Sequence, residues 1–167
     1  MEWLEGEDLA ARLERSGMRV SESLALAARL AGALGASHEL GIVHRDIKPS
    51  NVFLPGGRLH DAKLLDFGIA RALGAKTALT RTGTIMGTPG YMAPEQFEGQ
   101  SAIDARADVF SLGALLFECL TGKPAFAGEH LMAVIARLLL EEAPRVDELR
   151  DDIPPPIADL VAGMLSK

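Results

Sequence analysis

The sequence predicts a mainly α chain with short β-hairpins. Three observations carry that prediction. Apolar residues recur at helical spacing over 21–40, 105–122 and 129–142. Between the first two stretches lie only short β-rich pieces, Ile42-Val43, Val52-Phe53-Leu54 and Lys63-Leu64-Leu65. The composition, 48% hydrophobic and 24% charged over 167 residues, is ordinary for about one globular core.

Each element follows from local signals. Met1 to Leu9 reads as an extended piece running into a helix, with Asp8 able to cap its start. Ser21 to Leu40 reads as one long helix. Ser21 can cap it, Leu24, Ala27, Ala28, Ala31 and Leu34 form its stripe, and Gly41 can end it. Pro55-Gly56-Gly57 marks a turn between the second and third β-rich pieces. Ala72 to Met86 is rich in Thr, Gly and Ala without periodicity, and reads as a mobile loop. Ala105 to Gly122 is apolar nearly all round, which predicts burial, with Gly122 at its C-terminal end. Gly122-Lys123-Pro124-Ala125-Phe126 is a turn, and Glu129 to Glu142 a further helix with Leu131, Val134, Ile135, Leu138 and Leu139 as its stripe. Pro154-Pro155-Pro156 reads as a stop before a final helix, Ile157 to Lys167, in preference to a proline-rich ligand. No internal repeat is visible.

Charge and cysteine content exclude some functions. A net charge of −6 and a pI near 5.2 argue against nucleic acid or an anionic membrane as partner. No apolar run is long enough to span a bilayer, and the first residues do not read as a secretory signal. Cys119 is the single cysteine, set in an apolar helical pattern, so it reads as a buried structural thiol. A reducing, cytoplasmic location fits.

The chemistry concentrates at His44-Arg45-Asp46-Ile47-Lys48-Pro49-Ser50-Asn51. One short loop there holds a carboxylate, an ammonium and a carboxamide. Asp46 can accept a proton, Lys48 can neutralise a phosphate, and Asn51 can hold a metal ion through its side-chain oxygen. A second acidic turn, Asp66-Phe67-Gly68, follows after a short apolar run. These groups are the equipment for moving a phosphoryl group from a metal-bound nucleotide to a hydroxyl.

Four motifs stand in order: HRDIKPSN (His44 to Asn51), DFG (Asp66 to Gly68), GTPGYMAPE (Gly87 to Glu95) and Asp108-Val109-Phe110-Ser111-Leu112-Gly113. On them the chain resembles, from Met1 to Lys167, the C-terminal lobe of a eukaryotic-type protein kinase of the bacterial serine/threonine kind. The resemblance implies that Asp46 accepts the substrate hydroxyl's proton and that Lys48 holds the γ-phosphate of ATP. A lysine two residues after the aspartate also implies Ser/Thr specificity on protein substrates. Asn51 and Asp66 would share Mg2+, with Mn2+ as an alternative. Thr88 would hydrogen-bond Asp46 and Lys48. Residues 1–9 would be the hinge, with Glu2 and Leu4 at the adenine edge, Asp8 at the ribose and Phe53 beneath the base; a plain core role for Phe53 stays open. His44 would be buried and stacked on Phe67, both anchored on Asp108, so it is read as structural and not as a general base. Gly68 would supply backbone freedom. Arg45 would pair with a phosphothreonine of the activation segment, 66–95, which offers Thr77, Thr80, Thr82 and Thr84; Thr80 and Thr82 are the expected sites.

The same resemblance sets two expectations of incompleteness. No G-x-G-x-x-G and no V-A-I-K occurs in the chain, so the N-terminal lobe is expected to be missing and the fragment inactive alone. Glu95 would be a buried carboxylate whose arginine partner lies past the end, leaving that end loose. The alternative is a non-catalytic kinase-like binding module. A small-molecule phosphotransferase shares the Asp-to-Asn spacing, but Lys48 and GTPGYMAPE weigh against it. A metal hydrolase using His44, Asp46 and Asp66 lacks further histidines at metal spacing.

Overall fold

The computed structural model describes residues 5–67, 88–97 and 103–167. The expectations for Glu2, Leu4, Gly68, Thr77, Thr80, Thr82, Thr84, Gly87 and the loop Ala72 to Met86 lie outside the described residues. In chain order the elements are β1 (Gly6–Asp8), α1 (Leu9–Arg15), α2 (Val20–Glu39), β2 (Val52–Pro55), β3 (Lys63–Leu64), α3 (Arg106–Thr121), α4 (Leu131–Leu140), α5 (Val146–Leu149) and α6 (Pro155–Met164). Single 3-10 turns occur at Pro49–Asn51, Leu59–Asp61, Pro89–Tyr91 and Pro94–Gln96.

The three strands form one antiparallel sheet in the order β1-β2-β3. Asp8 pairs with Phe53, and Val52 with Leu64. Alternation along β2 sends Val52 and Leu54 into the core at no exposure, and turns Phe53 to the other face. A Cβ on Gly6 would stand 2.2 Å from the Leu54 carbonyl oxygen, so only glycine lets β1 approach this closely. Asp8 then caps α1, its Oδ1 accepting the Ala11 N–H at 2.8 Å.

Two apolar clusters meet on α3. One gathers Phe110, Leu116, Phe117 and Leu120 with Phe126, Leu138 and Val161. The other gathers Leu112, Leu115 and Cys119 with Leu9, Leu26, Leu30, Ile47 and Leu54. A helix that serves two cores must be apolar on both sides, as the sequence indicated. Gly122 ends it in the left-handed region at φ 70°. α6 crosses α3 closely, since a Cβ on Gly113 would lie 2.8 Å from that of Met164. Arg150 acts as a bolt. Its Nη1 donates to the carbonyls of Met18 at 2.9 Å and Leu120 at 2.8 Å.

Several expectations need correction. Ile42-Val43 forms no strand. α2 begins one residue before Ser21, and its start is held by Glu22, whose carboxylate accepts the Arg19 N–H at 2.9 Å. On α4 only Ile135 and Leu138 are buried, whereas Leu131 is 46% exposed and Leu139 36%. α6 starts at Pro155, because a proline at the first helical position loses no hydrogen bond. That helix is built into the first core through Ala158 and Val161. Among the described residues no helix is long and apolar enough to cross a membrane.

Candidate active site

The loop 43–51 is set by a carboxylate on another element. Asp108, in the first turn of α3, has no exposure. Its Oδ2 accepts the His44 N–H and its Oδ1 the Arg45 N–H, both at 2.8 Å. His38 Nε2, from the last turn of α2, lies 2.7 Å from Oδ2. Three donors therefore hold a group that would be costly to bury unpartnered. Asp108 grips the backbone of His44 and not its imidazole, which refines the expected anchoring. The imidazole donates from Nε2 to the Leu65 carbonyl at 3.0 Å, and Nδ1 faces the Asp46 N–H at 3.4 Å. A carbonyl can only accept, so the neutral ring carries its proton on Nε2. With both nitrogens engaged and no exposure, His44 has no room to act as a base. Its ring lies 4.6 Å from Phe67, tilted by 47°.

Three of the expected residues meet directly. Lys48 Nζ and Asn51 Nδ2 each lie 2.9 Å from Asp46 Oδ2. Asn51 Nδ2 also donates to the Asp46 carbonyl at 2.8 Å. The 3-10 turn Pro49–Asn51 makes this possible by bringing Asn51 back under Asp46, closed by Asn51 N–H on the Lys48 carbonyl at 3.0 Å. Nδ2 makes both of these contacts to Asp46, so neither of them uses the Asn51 Oδ1 lone pairs.

Asp66 arrives through the sheet. Because Val52 pairs with Leu64, the next residues out are also neighbours: Leu65 N–H donates to the Asn51 carbonyl at 2.8 Å. Asp66 follows, exposed and with φ 55°. The register that sets Phe53 opposite Asp8 lies on the same strand. One carboxylate, Asp66, and one amide oxygen, on Asn51, are hard donors of the kind a divalent cation takes, and phosphate and water would have to supply the rest of its shell.

The segment 88–97 lies over this loop. Thr88 is exposed at its head, and its carbonyl accepts the Tyr91 N–H at 3.2 Å. Gln96 is buried and donates to the Arg45 carbonyl at 3.0 Å. Tyr91 donates its hydroxyl to Glu118 of α3. Burial, then that hydrogen bond, hold the Tyr91 hydroxyl above its ordinary range. Burial also raises the Glu118 carboxyl, against the pull of the Tyr91 hydrogen bond. Glu95 is half-buried, and the neighbouring Arg106 guanidinium pairs with Asp104, at 3.0 Å.

Sequence reasoning missed His38, Gln96 and Glu118. Only Glu118 left a signal: between Asp108 and Thr121 it is the single charged residue of an otherwise apolar helix.

Comparison with known proteins shows the family. A family model described as the protein kinase domain matches residues 1–167. The chain belongs to the protein kinase domain family. This kinase-domain chain is 40% identical over 169 residues to the serine/threonine-protein kinase PknD of Mycobacterium tuberculosis, covering 100% of the chain and 25% of that protein. It is 39% identical over 163 residues to PknL of the same species, covering 97% of the chain and 40% of that kinase. With PknB of Mycolicibacterium smegmatis it shares 36% over 169 residues, 100% of the chain and 27% of the relative. The kinase-domain chain thus spans between a quarter and two-fifths of the length of these relatives.

Proposed function

We propose that the chain is the C-terminal lobe of an ATP-dependent protein serine/threonine kinase, which transfers the γ-phosphoryl group of ATP to Ser and Thr hydroxyls of protein substrates. The observation that carries this reading is the shared oxygen of Asp46, met by Lys48 and Asn51 at 2.9 Å each, in a chain that matches the family over 1–167.

Phosphoryl transfer asks for positioning and charge neutralisation more than for covalent chemistry. Asp46 orients the substrate hydroxyl and accepts its proton. Lys48, tethered to Asp46, neutralises charge on the moving phosphoryl group. Asn51, through Oδ1, and Asp66 hold Mg2+ or Mn2+, which when bound neutralises the phosphate oxygens. Thr88 closes the site toward the protein substrate. The nucleotide base would be met at the hinge by Glu2 and Leu4, with Phe53 beneath it. Asp8 Oδ1 is engaged at Ala11, so its ribose contact falls to Oδ2. Arg45 receives a phosphate placed by autophosphorylation on Thr80 or Thr82; a phosphopeptide map of active protein with neither modified would refute that part. A cytoplasmic setting fits the buried thiol of Cys119.

Activity on this reading needs the smaller, nucleotide-covering lobe as well. The test is to fuse that lobe from a 40%-identical relative ahead of the chain and supply γ-labelled ATP, Mg2+ and a basic protein. Label on Ser and Thr, lost in Asp46→Asn, is the expected result. A folded fusion that transfers nothing would leave the second reading, a kinase-like binding module.

A further inference from the structure

We infer that Gln96 is a positioning residue for the base at Asp46, acting through Arg45. Its catalytic consequence rests on the phosphotransfer reading above; its geometry does not. Arg45 is one of two non-glycine residues with positive φ among those described, at 64°. An arginine in the left-handed region persists only where its surroundings hold it there. Two side chains from separate elements do so. Asp108 Oδ1 accepts the Arg45 N–H at 2.8 Å, and Gln96 Nε2 donates to the Arg45 carbonyl at 3.0 Å. These contacts pin the peptide planes on either side of the Arg45 Cα, so both of its torsions are set.

The second plane also contains the Asp46 N–H. Any tilt of that plane swings the Asp46 carboxylate away from Lys48 and Asn51. Gln96 is itself fixed. It is 5% exposed, closes the turn Pro94–Gln96, and accepts the Ala93 N–H on Oε1 at 2.9 Å. Ala93 N–H can only donate and the Arg45 carbonyl can only accept, so the orientation of the amide is forced. Gln96 therefore ties the placement of segment 88–97 to the placement of the base, across 51 residues of sequence.

Two substitutions separate this role from simple space-filling. Gln96→Glu keeps an oxygen for Ala93 N–H, removes the donor to Arg45 and sets an oxygen against that carbonyl. Gln96→Met keeps the volume and removes both bonds. In the fused, active protein, kcat is expected to fall about tenfold or more in both variants, with KM for nucleotide and protein substrate within about twofold. In the chain itself, residue-resolved hydrogen exchange is expected to quicken at the Arg45 and Asp46 amides while α3 keeps its protection. Unchanged kcat together with unchanged exchange overturns the inference. So does a rise in KM with kcat intact, which would make Gln96 part of the substrate platform. Protection lost throughout α3 with a collapsed melting point also overturns it, since Gln96 would then hold the fold and not the loop. If the wild-type fusion transfers no phosphate, the phosphotransfer reading fails and the exchange measurement alone decides the clamp.

Discussion

At the scale of single residues, the contacts around Asp46 make the sharpest prediction. On the proposed phosphotransfer reading, Asp46→Asn keeps the shape and loses the proton acceptor, so transfer by the fused protein should fall about 10²–10⁴-fold in a labelled-phosphate assay. Glu118 makes a prediction of a different kind. Burial raises its carboxyl above the ordinary 4.5, so the folded state binds the proton more tightly than the unfolded chain. The stability this lends is complete below pH 4.5 and is lost as pH rises through the folded value. Glu118→Gln removes that dependence and can still accept from Tyr91. Its melting point should therefore gain on wild type steadily as pH is raised from the acid side; a gap that narrows would contradict the assignment. Residue by residue, the sequence was most legible where partners lie close along it. Asp46, Lys48 and Asn51 lie within six positions of one loop, so their meeting could be expected from the sequence. His38 reaches Asp108 across 70 positions and Gln96 reaches Arg45 across 51. Such pairs are decided by packing, and nothing local marks them.

Among the elements, type was easier to read than limits. The periodic runs of α2 and α3 announced themselves, because a long apolar repeat has few other uses. Their ends depend on individual hydrogen bonds, and Glu22 overrode Ser21 at the start of α2 by reaching back to the Arg19 N–H. Ile42-Val43 had β-type residues but found no strand to pair with, and β propensity without a partner forms no ladder. α4 was read as one buried stripe, yet its sequence is apolar on more than one side and the fold covers only Ile135 and Leu138. β1 was legible only as extended backbone; its pairing with β2 was not. Two tests belong here. Asp8→Ala should cost about 1 kcal/mol in urea unfolding by removing the cap of α1. Gly6→Ala should cost more, because the added methyl meets the Leu54 carbonyl oxygen, 2.2 Å away, and the β1–β2 register must open.

For the whole molecule, α3 is the organising feature. It lends one side to the cluster with Phe126 and Val161, the other to the cluster with Leu9 and Leu54, and Asp108 near its start to the loop that carries Asp46. Phe117 is 1% exposed within the first of these clusters. Phe117→Ala should cost about 3–5 kcal/mol, seen as a lower urea midpoint at unchanged m. A change in m instead would mean that the two clusters unfold separately.

Arg150 gives this body an unusual tolerance. The residues from Ala127 to His130 form an exposed stretch ahead of α4, and a protease cutting after Glu129 would sever the backbone there. The downstream piece would still carry Arg150, gripping the carbonyls of Met18 and Leu120 on the upstream piece, and α6 wedged against Gly113. The two halves should therefore travel as one particle through a sizing column and part only in denaturant.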